Sequence, residues 1–180
     1  MTNAYLEIVL GPMYSSKTST LIEIYKKCVY CSIPVVAINH ESDTRYHESL
    51  LSTHDKVMIP CIKTHKLFDA WTNHKMDDYS VILINEGQFF DDLVPFVNQM
   101  LKNNKKVYVF GLDGDFEKKK FGTILDLIPI CDKVYKLHSL CAMCKDGTDG
   151  IFSKRITTEK QQVLVGSDNY IPVCRSCHAK

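Results

Sequence analysis

The chain has no apolar stretch approaching the length of a membrane span, and its 22 basic and 21 acidic side chains leave a formal net charge of only +1. The first absence argues against a spanning helix. The second removes the electrostatic basis for holding DNA, RNA or an anionic membrane over a large surface, and a basic, aromatic-rich stripe is missing as well. Small-molecule partners are expected instead. Met1-Thr2-Asn3-Ala4 carries neither the basic nor the apolar region of a secretory signal, so a soluble cytoplasmic protein is expected. Internal repeats and low-complexity segments are also missing; Glu117-Lys118-Lys119-Lys120 comes nearest to a charge run and reads as a solvated loop. What remains is 180 residues at 45% hydrophobic, enough to bury a substantial core in one domain with a small appendage.

Tyr5 to Leu10 is short, apolar and β-prone, and from Thr18 onward Leu21, Ile24 or Tyr25, and Cys28 recur at helical spacing. Between them lies Gly11-Pro12-Met13-Tyr14-Ser15-Ser16-Lys17-Thr18, so strand, loop and helix follow in the order of a phosphate-binding loop. In such a loop the backbone N–H groups and the helix N-terminus cradle polyphosphate. Lys17 then reaches the outer phosphates, and the Thr18 hydroxyl is placed to ligate Mg²⁺. Ser16 stands where glycine is usual; at a left-handed position its side chain costs roughly 1–2 kcal/mol.

Val35 to Ile38, Val81 to Ile84, Val107 to Leu112 and Val134 to Leu137 are β-branched runs typical of buried strands. Lys66 to Trp71, Leu93 to Leu101 and Phe121 to Ile128 carry apolar residues three and four apart and read as helices, with Pro95 placing the start of the second near Leu93. The expected fold is α/β, a mostly parallel sheet with helices on both faces, over residues 1–137. Residues 138–180 read as a separate small unit, in which Ile151 to Ile156 and Gln162 to Val165 are expected to form a β-hairpin.

Cys141-Ala142-Met143-Cys144 and Cys174-Arg175-Ser176-Cys177 flank that hairpin, with 29 residues separating Cys144 from Cys174. Two C-x-x-C knuckles supply four thiolates to one tetrahedral Zn²⁺ with no open position, a structural site. Such a site stabilises a unit too small for a core of its own. His178 is an adjacent alternative ligand. Cys28 and Cys31 share the spacing, but Cys28 continues the apolar face of the first helix and reads as packing; Cys61 and Cys131 read as core residues.

The strand Val81 to Ile84 ends in Asn85-Glu86, where a phosphate-loop enzyme usually carries an aspartate that helps hold Mg²⁺. Asn85 is neutral. Glu86 keeps a carboxylate at the strand end, where it can take a proton from an attacking hydroxyl.

Gly11 to Thr18, Asp43-Thr44-Arg45-Tyr46, Asn85-Glu86-Gly87-Gln88-Phe89-Phe90, Leu112-Asp113-Gly114-Asp115-Phe116 and the two cysteine pairs stand in the order found in thymidine kinases of the cellular and poxvirus type. The chain resembles that family over nearly its whole length, with further anchors at Phe121-Gly122, Lys154-Arg155, Thr158-Glu159-Lys160 and Asp168 to Tyr170. The resemblance implies transfer of the γ-phosphoryl of ATP, with Mg²⁺, to the 5′-hydroxyl of thymidine, in a homotetramer carrying structural Zn²⁺. It casts Glu86 as general base and Gly11 to Thr18 as the ATP cradle. Asp43, Arg45, Asn85 and Gln88 fall on the phosphate and metal side. Met13, Phe89, Leu112, Phe116, Phe121, Ser153, Leu164 and Tyr170 fall around the nucleoside, the last three on a lid whose two ends the zinc unit clamps.

Four positions depart from the family: Ser16, Asn85, Asp115 and Ser153. Asp115 and Ser153 stand where threonine is usual, and Asp115 brings a charge near the nucleoside. Ser16 and Asn85 both touch the ATP–Mg²⁺ side, which predicts a slower enzyme with a raised ATP or Mg²⁺ requirement. Reverting Ser16→Gly and Asn85→Asp is expected to relieve it. The alternative is a non-catalytic nucleotide-binding member of the same fold, disabled by those two residues.

Overall fold

The computed structural model describes residues 3–43, 50–53, 55–159, 161–164, 166 and 169–180. In chain order the strands are β1 (Tyr5–Leu10), β2 (Val35–His40), β3 (Leu50–Ser52), β4 (Met58–Pro60), β5 (Ile62–Thr64), β6 (Val81–Ile84), β7 (Lys106–Gly111), β8 (Lys133–Lys136), β9 (Ser139–Leu140), β10 (Asp149–Gly150), β11 (Phe152–Arg155) and β12 (Tyr170–Val173). The helices are α1 (Lys17–Tyr30), α2 (Leu67–Asn73), α3 (Leu93–Lys102) and α4 (Arg175–His178).

Six strands form one sheet in the order β5-β2-β6-β7-β1-β8, and every pairing in it is parallel. Side chains alternate across it. Leu6, Ile8 and Leu10 of β1 join Ile82, Ile84, Val107 and Val109 on the face covered by Leu67 and Ala70 of α2 and Leu93, Phe96, Val97 and Met100 of α3. Val9, Ala37, Leu83 and Phe110 point the other way, onto Leu21, Ile22 and Cys28 of α1. Each large side chain so buried contributes roughly 1.5–3 kcal/mol. The expected α/β sheet with helices on both faces is therefore present. Pro95 sits in the first turn of α3, where its missing N–H leaves no intrahelical bond unmade.

Three expectations need correction. The strand expected as a buried run over Val134 to Leu137 forms as β8, but it is exposed at all four residues because it is the edge of the sheet. The helix expected over Phe121 to Ile128 is a 3₁₀ run, Ile124–Ile130. Gly122 turns with φ +59 just before it, Pro129 inside it has no N–H to give, and its buried residues Ile124 and Leu127 are three apart, the 3₁₀ period. The strand expected over Gln162 to Val165 does not form across Gln162 to Leu164, Val165 lying outside the described residues. β11 pairs instead with β12, antiparallel, from Phe152↔Val173 to Arg155↔Tyr170. β9 and β10 form a second small pair, and Cys141, Val173 and Cys177 with Phe152 and Ile171 make a separate small core.

Candidate active site

The loop between β1 and α1 opens at the C-terminal edge of the sheet, where parallel α/β folds place ligands. Gly11 is required there: a Cβ would stand 2.7 Å from the Leu137 carbonyl oxygen and 2.6 Å from Ser15 Oγ. Tyr14 and Ser16 both adopt left-handed backbone, at φ 61 and φ 64, so the strain expected at Ser16 is present. Ser15 Oγ donates to the Pro12 carbonyl at 2.8 Å. The Lys17 ammonium lies across the loop, donating to the carbonyls of Gly11 at 3.0 Å and Pro12 at 2.6 Å. Met13 to Thr18 line a cleft that is open to solvent.

Three carboxylates reach this cleft, Glu86, Asp43 and Asp115. Glu86 follows β6 in left-handed backbone, φ 54, a conformation that costs a non-glycine residue energy and turns its side chain out of the strand. Gln88 fixes it. The Gln88 Nε2 donates to Glu86 Oε2 at 2.7 Å while its Oε1 accepts the Leu112 N–H at 3.0 Å. Asp43 accepts from Asn39 Nδ2 at 3.0 Å. Asn85 is absent from the cleft lining; it lies behind Asp43, its N–H donating to the Ile38 carbonyl at 2.8 Å and its Nδ2 to Asn39 Oδ1 at 3.0 Å. Arg45 lies outside the described residues. Beside the carboxylates, burial pushes the His40 imidazole below its ordinary value, as does His65, while Glu41, Glu86 and Asp91 pull it back up.

The apolar half of the cleft contains Met13, Phe89, Leu112, Phe116 and Phe121. Phe89 and Phe121 meet edge to face, centroids 5.4 Å apart at 89°. Gly122 makes that contact feasible, because at φ +59 its Cα approaches Gln88 so closely that a Cβ would stand 2.1 Å from the Gln88 carbonyl oxygen. Leu164, from the segment between β11 and β12, and Tyr170, at the start of β12, line this end. Ser153 Oγ accepts the Met13 N–H at 2.9 Å, tying β11 to the loop.

Sequence reasoning overlooked three groups here. Arg155 donates to the carbonyls of Glu159 at 2.9 Å, Gln161 at 2.5 Å and Gln162 at 3.1 Å, and to the Tyr170 hydroxyl, with its guanidinium 3.9 Å from the Phe116 ring centre. Gln162 Nε2 donates to Asp115 Oδ2 at 2.7 Å. Asp115 Oδ1 meanwhile accepts the N–H groups of Glu117 and Lys119, both at 2.9 Å, so this carboxylate closes its own turn and holds the lid. Asn39 is the third. The advance signals were for Arg155, which belongs to the Lys154-Arg155 anchor of the family resemblance and shares the inward face of β11 with Ser153.

The sulfurs of Cys141, Cys144, Cys174 and Cys177 lie within 4.8 Å of one another, with Cys144 Sγ 3.8 Å from that of Cys174 and 3.5 Å from that of Cys177. Four thiolates about 2.3 Å from one tetrahedral Zn²⁺ stand about 3.8 Å apart, so the donor set fits. In each knuckle the second cysteine's N–H points to the first one's sulfur, at 3.5 Å. His178 is not in the cluster; its Nε2 lies 2.9 Å from the Phe116 carbonyl oxygen. Cys28 packs in the core as expected, while Cys61 and Cys131 are half-buried at its margin. Burial pushes the Cys61 thiol up to about 11.

A parallel α/β sheet whose C-terminal edge gathers a lysine-bearing loop, a positioned carboxylate and an aromatic recess, beside a small unit with four clustered cysteines, defines a nucleotide-handling class of protein. Within that class the chain belongs to the thymidine kinase family, whose sequence model matches residues 4–178. It is 38% identical over 179 residues to the thymidine kinase of Variola virus, covering 99% of this chain and 98% of that protein. The raccoon poxvirus thymidine kinase is 39% identical over 182 residues, with the same coverage. The cytosolic thymidine kinase of Bos taurus is 37% identical over 180 residues, covering 99% of this chain and 74% of the bovine protein.

Proposed function

We propose that this protein is a thymidine kinase, transferring the γ-phosphoryl group of ATP to the 5′-hydroxyl of thymidine to give dTMP for nucleotide salvage. The observation that carries the reading is the gathering of Lys17, Glu86 and the aromatic recess into one cleft in a chain of this family.

The residues divide the work by position. Backbone N–H groups of Gly11 to Thr18, excepting Pro12, surround the ATP phosphates, and Lys17 adds charge where it develops on the transferred group. Thr18 and Asp43 would supply oxygen donors for Mg²⁺, with Asn85 behind Asp43 through Asn39, Gln88 on the same side through its bond to Glu86, and Arg45 assigned there as well. When bound, Mg²⁺ neutralises phosphate charge. Glu86 accepts the 5′-hydroxyl proton as the oxygen attacks, and Gln88 holds its carboxylate in one orientation. Phe89, Phe121, Met13, Leu112 and Phe116 sandwich the nucleoside, and Ser153, Leu164 and Tyr170 close over it, excluding water.

We further assign residues 1–137 to the nucleotide-binding domain and 138–180 to a zinc-bound lid unit, and infer a cytoplasmic homotetramer from the family. No described helix is long and apolar enough to cross a membrane.

Phosphate transfer from ATP–Mg²⁺ to a panel of nucleosides tests the reading, with Lys17→Ala as the blank. Transfer to thymidine above the blank is expected, and Glu86→Gln is expected to reduce it by at least 10²-fold while leaving thymidine binding nearly intact. The strain at Ser16 and the withdrawal of Asn85 from the cleft favour a second reading, nucleotide binding without turnover. Binding of ATP with no transfer to any nucleoside would establish that reading instead.

A further inference from the structure

Asp43, Asn39 and Asn85 form a buried chain of hydrogen bonds across the C-terminal ends of β2 and β6. Their relative exposures are 7%, 1% and 2%, so Asn39 and Asn85 are shielded from water and Asp43 keeps only a small exposed area toward the cleft. The direction of the chain follows from its first member. An ionised carboxylate only accepts, so Asn39 must turn Nδ2 toward Asp43 Oδ2, at 3.0 Å. Its Oδ1 then faces Asn85, which must offer a donor, and does so through Nδ2 at 3.0 Å. Of the three, only Asp43 reaches the cleft.

We propose that Asn39 is the positioning residue for Asp43, and that Asn39 and Asn85 are a matched pair in which a carboxylate at position 85 is incompatible with asparagine at 39. The proposal rests on the reading of Asp43 as a residue of the metal and phosphate side. An aspartate at 85 points an acceptor, and a second negative charge, at Asn39 Oδ1. Flipping the amide satisfies position 85 but turns Oδ1 onto Asp43, so the clash moves without disappearing. One amide, with its donor and acceptor on opposite ends, cannot serve two carboxylates. A side chain that only donates can, and lysine has three donors and no acceptor.

Asn85 is thus not a simple loss. The reversion Asn85→Asp, expected from sequence to relieve the Mg²⁺ requirement, should worsen it unless position 39 changes too.

Five proteins decide the matter: wild type, Asn39→Leu, Asn39→Lys, Asn85→Asp, and the double variant Asn39→Lys/Asn85→Asp. Each is measured by thermal unfolding, by the Mg²⁺ concentration giving half-maximal phosphate transfer, and by the thymidine KM. Asn39→Leu should raise the half-maximal Mg²⁺ concentration roughly tenfold or more, as loss of a group orienting a metal-side ligand does, with thymidine KM within about twofold. Asn85→Asp alone should lower the melting temperature and raise the Mg²⁺ requirement; the double variant should recover both. A purely structural role would lower the melting temperature without moving the Mg²⁺ midpoint, and that result overturns the positioning role. Improved activity in Asn85→Asp alone, or melting shifts that simply add across Asn39→Lys, Asn85→Asp and their combination, overturns the matched pair. Because melting needs no turnover, an inactive wild type would reject the kinase reading while the pairing is still decided by the melting cycle.

Discussion

Ser16 pays for its place in the loop with backbone strain. At φ 64 and ψ 19 it occupies a region that costs an L-residue roughly 1–2 kcal/mol, and its side chain makes no capping hydrogen bond to α1 in return. Glycine removes that strain but loses more entropy on folding, about 0.4–1 kcal/mol. Ser16→Gly should therefore be neutral to about 1.5 kcal/mol more stable, a rise in melting temperature of at most roughly 6 °C for a chain of this size, measurable by calorimetry. A clear fall would mean that the Ser16 hydroxyl has a stabilising role the backbone argument omits. The position of this strain was legible in the sequence, because glycine normally precedes the lysine of such a loop. Lys17, Thr18 and Glu86 were legible for the same reason: each sits at a fixed offset from a strand end. Asn39 was not, since its meaning depends on Asn85, 46 residues away, and no local pattern announces a hydrogen bond between two strand ends.

Among elements, the most legible strand is one buried throughout, Val81 to Ile84, where a continuous apolar run leaves little alternative; β8 was legible from its β-branched run although it is exposed at the edge of the sheet. β3, β4, β5, β9 and β10 are two or three residues long, too short for any period to register. β12 was hidden by Pro172, which argues against a strand unless it lies on an edge, as it does in this two-stranded pair. Misplacing β12 concealed what the lid is anchored to. Arg155 and Tyr170 stand opposite each other in the β11–β12 register, so one guanidinium grips the lid where it leaves β11 and where it re-enters β12. Its Nε is buried without a hydrogen-bond partner among the described residues, so that grip comes from the two terminal nitrogens and the Phe116 ring. Charge-assisted hydrogen bonds contribute about 1.5–3 kcal/mol each, and a lysine, with one nitrogen instead of a planar fork, cannot make all of them. Losing one or two corresponds to at least tenfold in binding. Arg155→Lys should accordingly raise thymidine KM about tenfold or more and leave the KM for ATP within about twofold. Equal increases in both would place the effect in the fold, not in the lid.

For the whole molecule, the question is what keeps the lid unit folded. The main sheet buries two extensive cores, whereas the C-terminal unit has a fully buried Val173, partly buried Phe152 and Ile171, and its cysteines. A few apolar side chains contribute roughly 1.5–3 kcal/mol each, a small core for a unit of this length. Contacts with the main domain, Ser153 to Met13 and Gln162 to Asp115, add only about 1 kcal/mol apiece. Zinc held by four thiolates would supply on the order of 10 kcal/mol or more, a larger contribution than the apolar side chains of this small core make together. Purified protein should then contain one Zn²⁺ per chain by metal analysis. Chelation, or Cys141→Ser, should unfold the lid unit while the sheet domain keeps its own melting transition, because neither of its cores includes any of the four cysteines. ATP binding to the loop between β1 and α1 should persist, and thymidine binding should be lost. Protein that is free of metal as purified yet phosphorylates thymidine would reject the clamp, and it would require the lid to be held by the main domain alone.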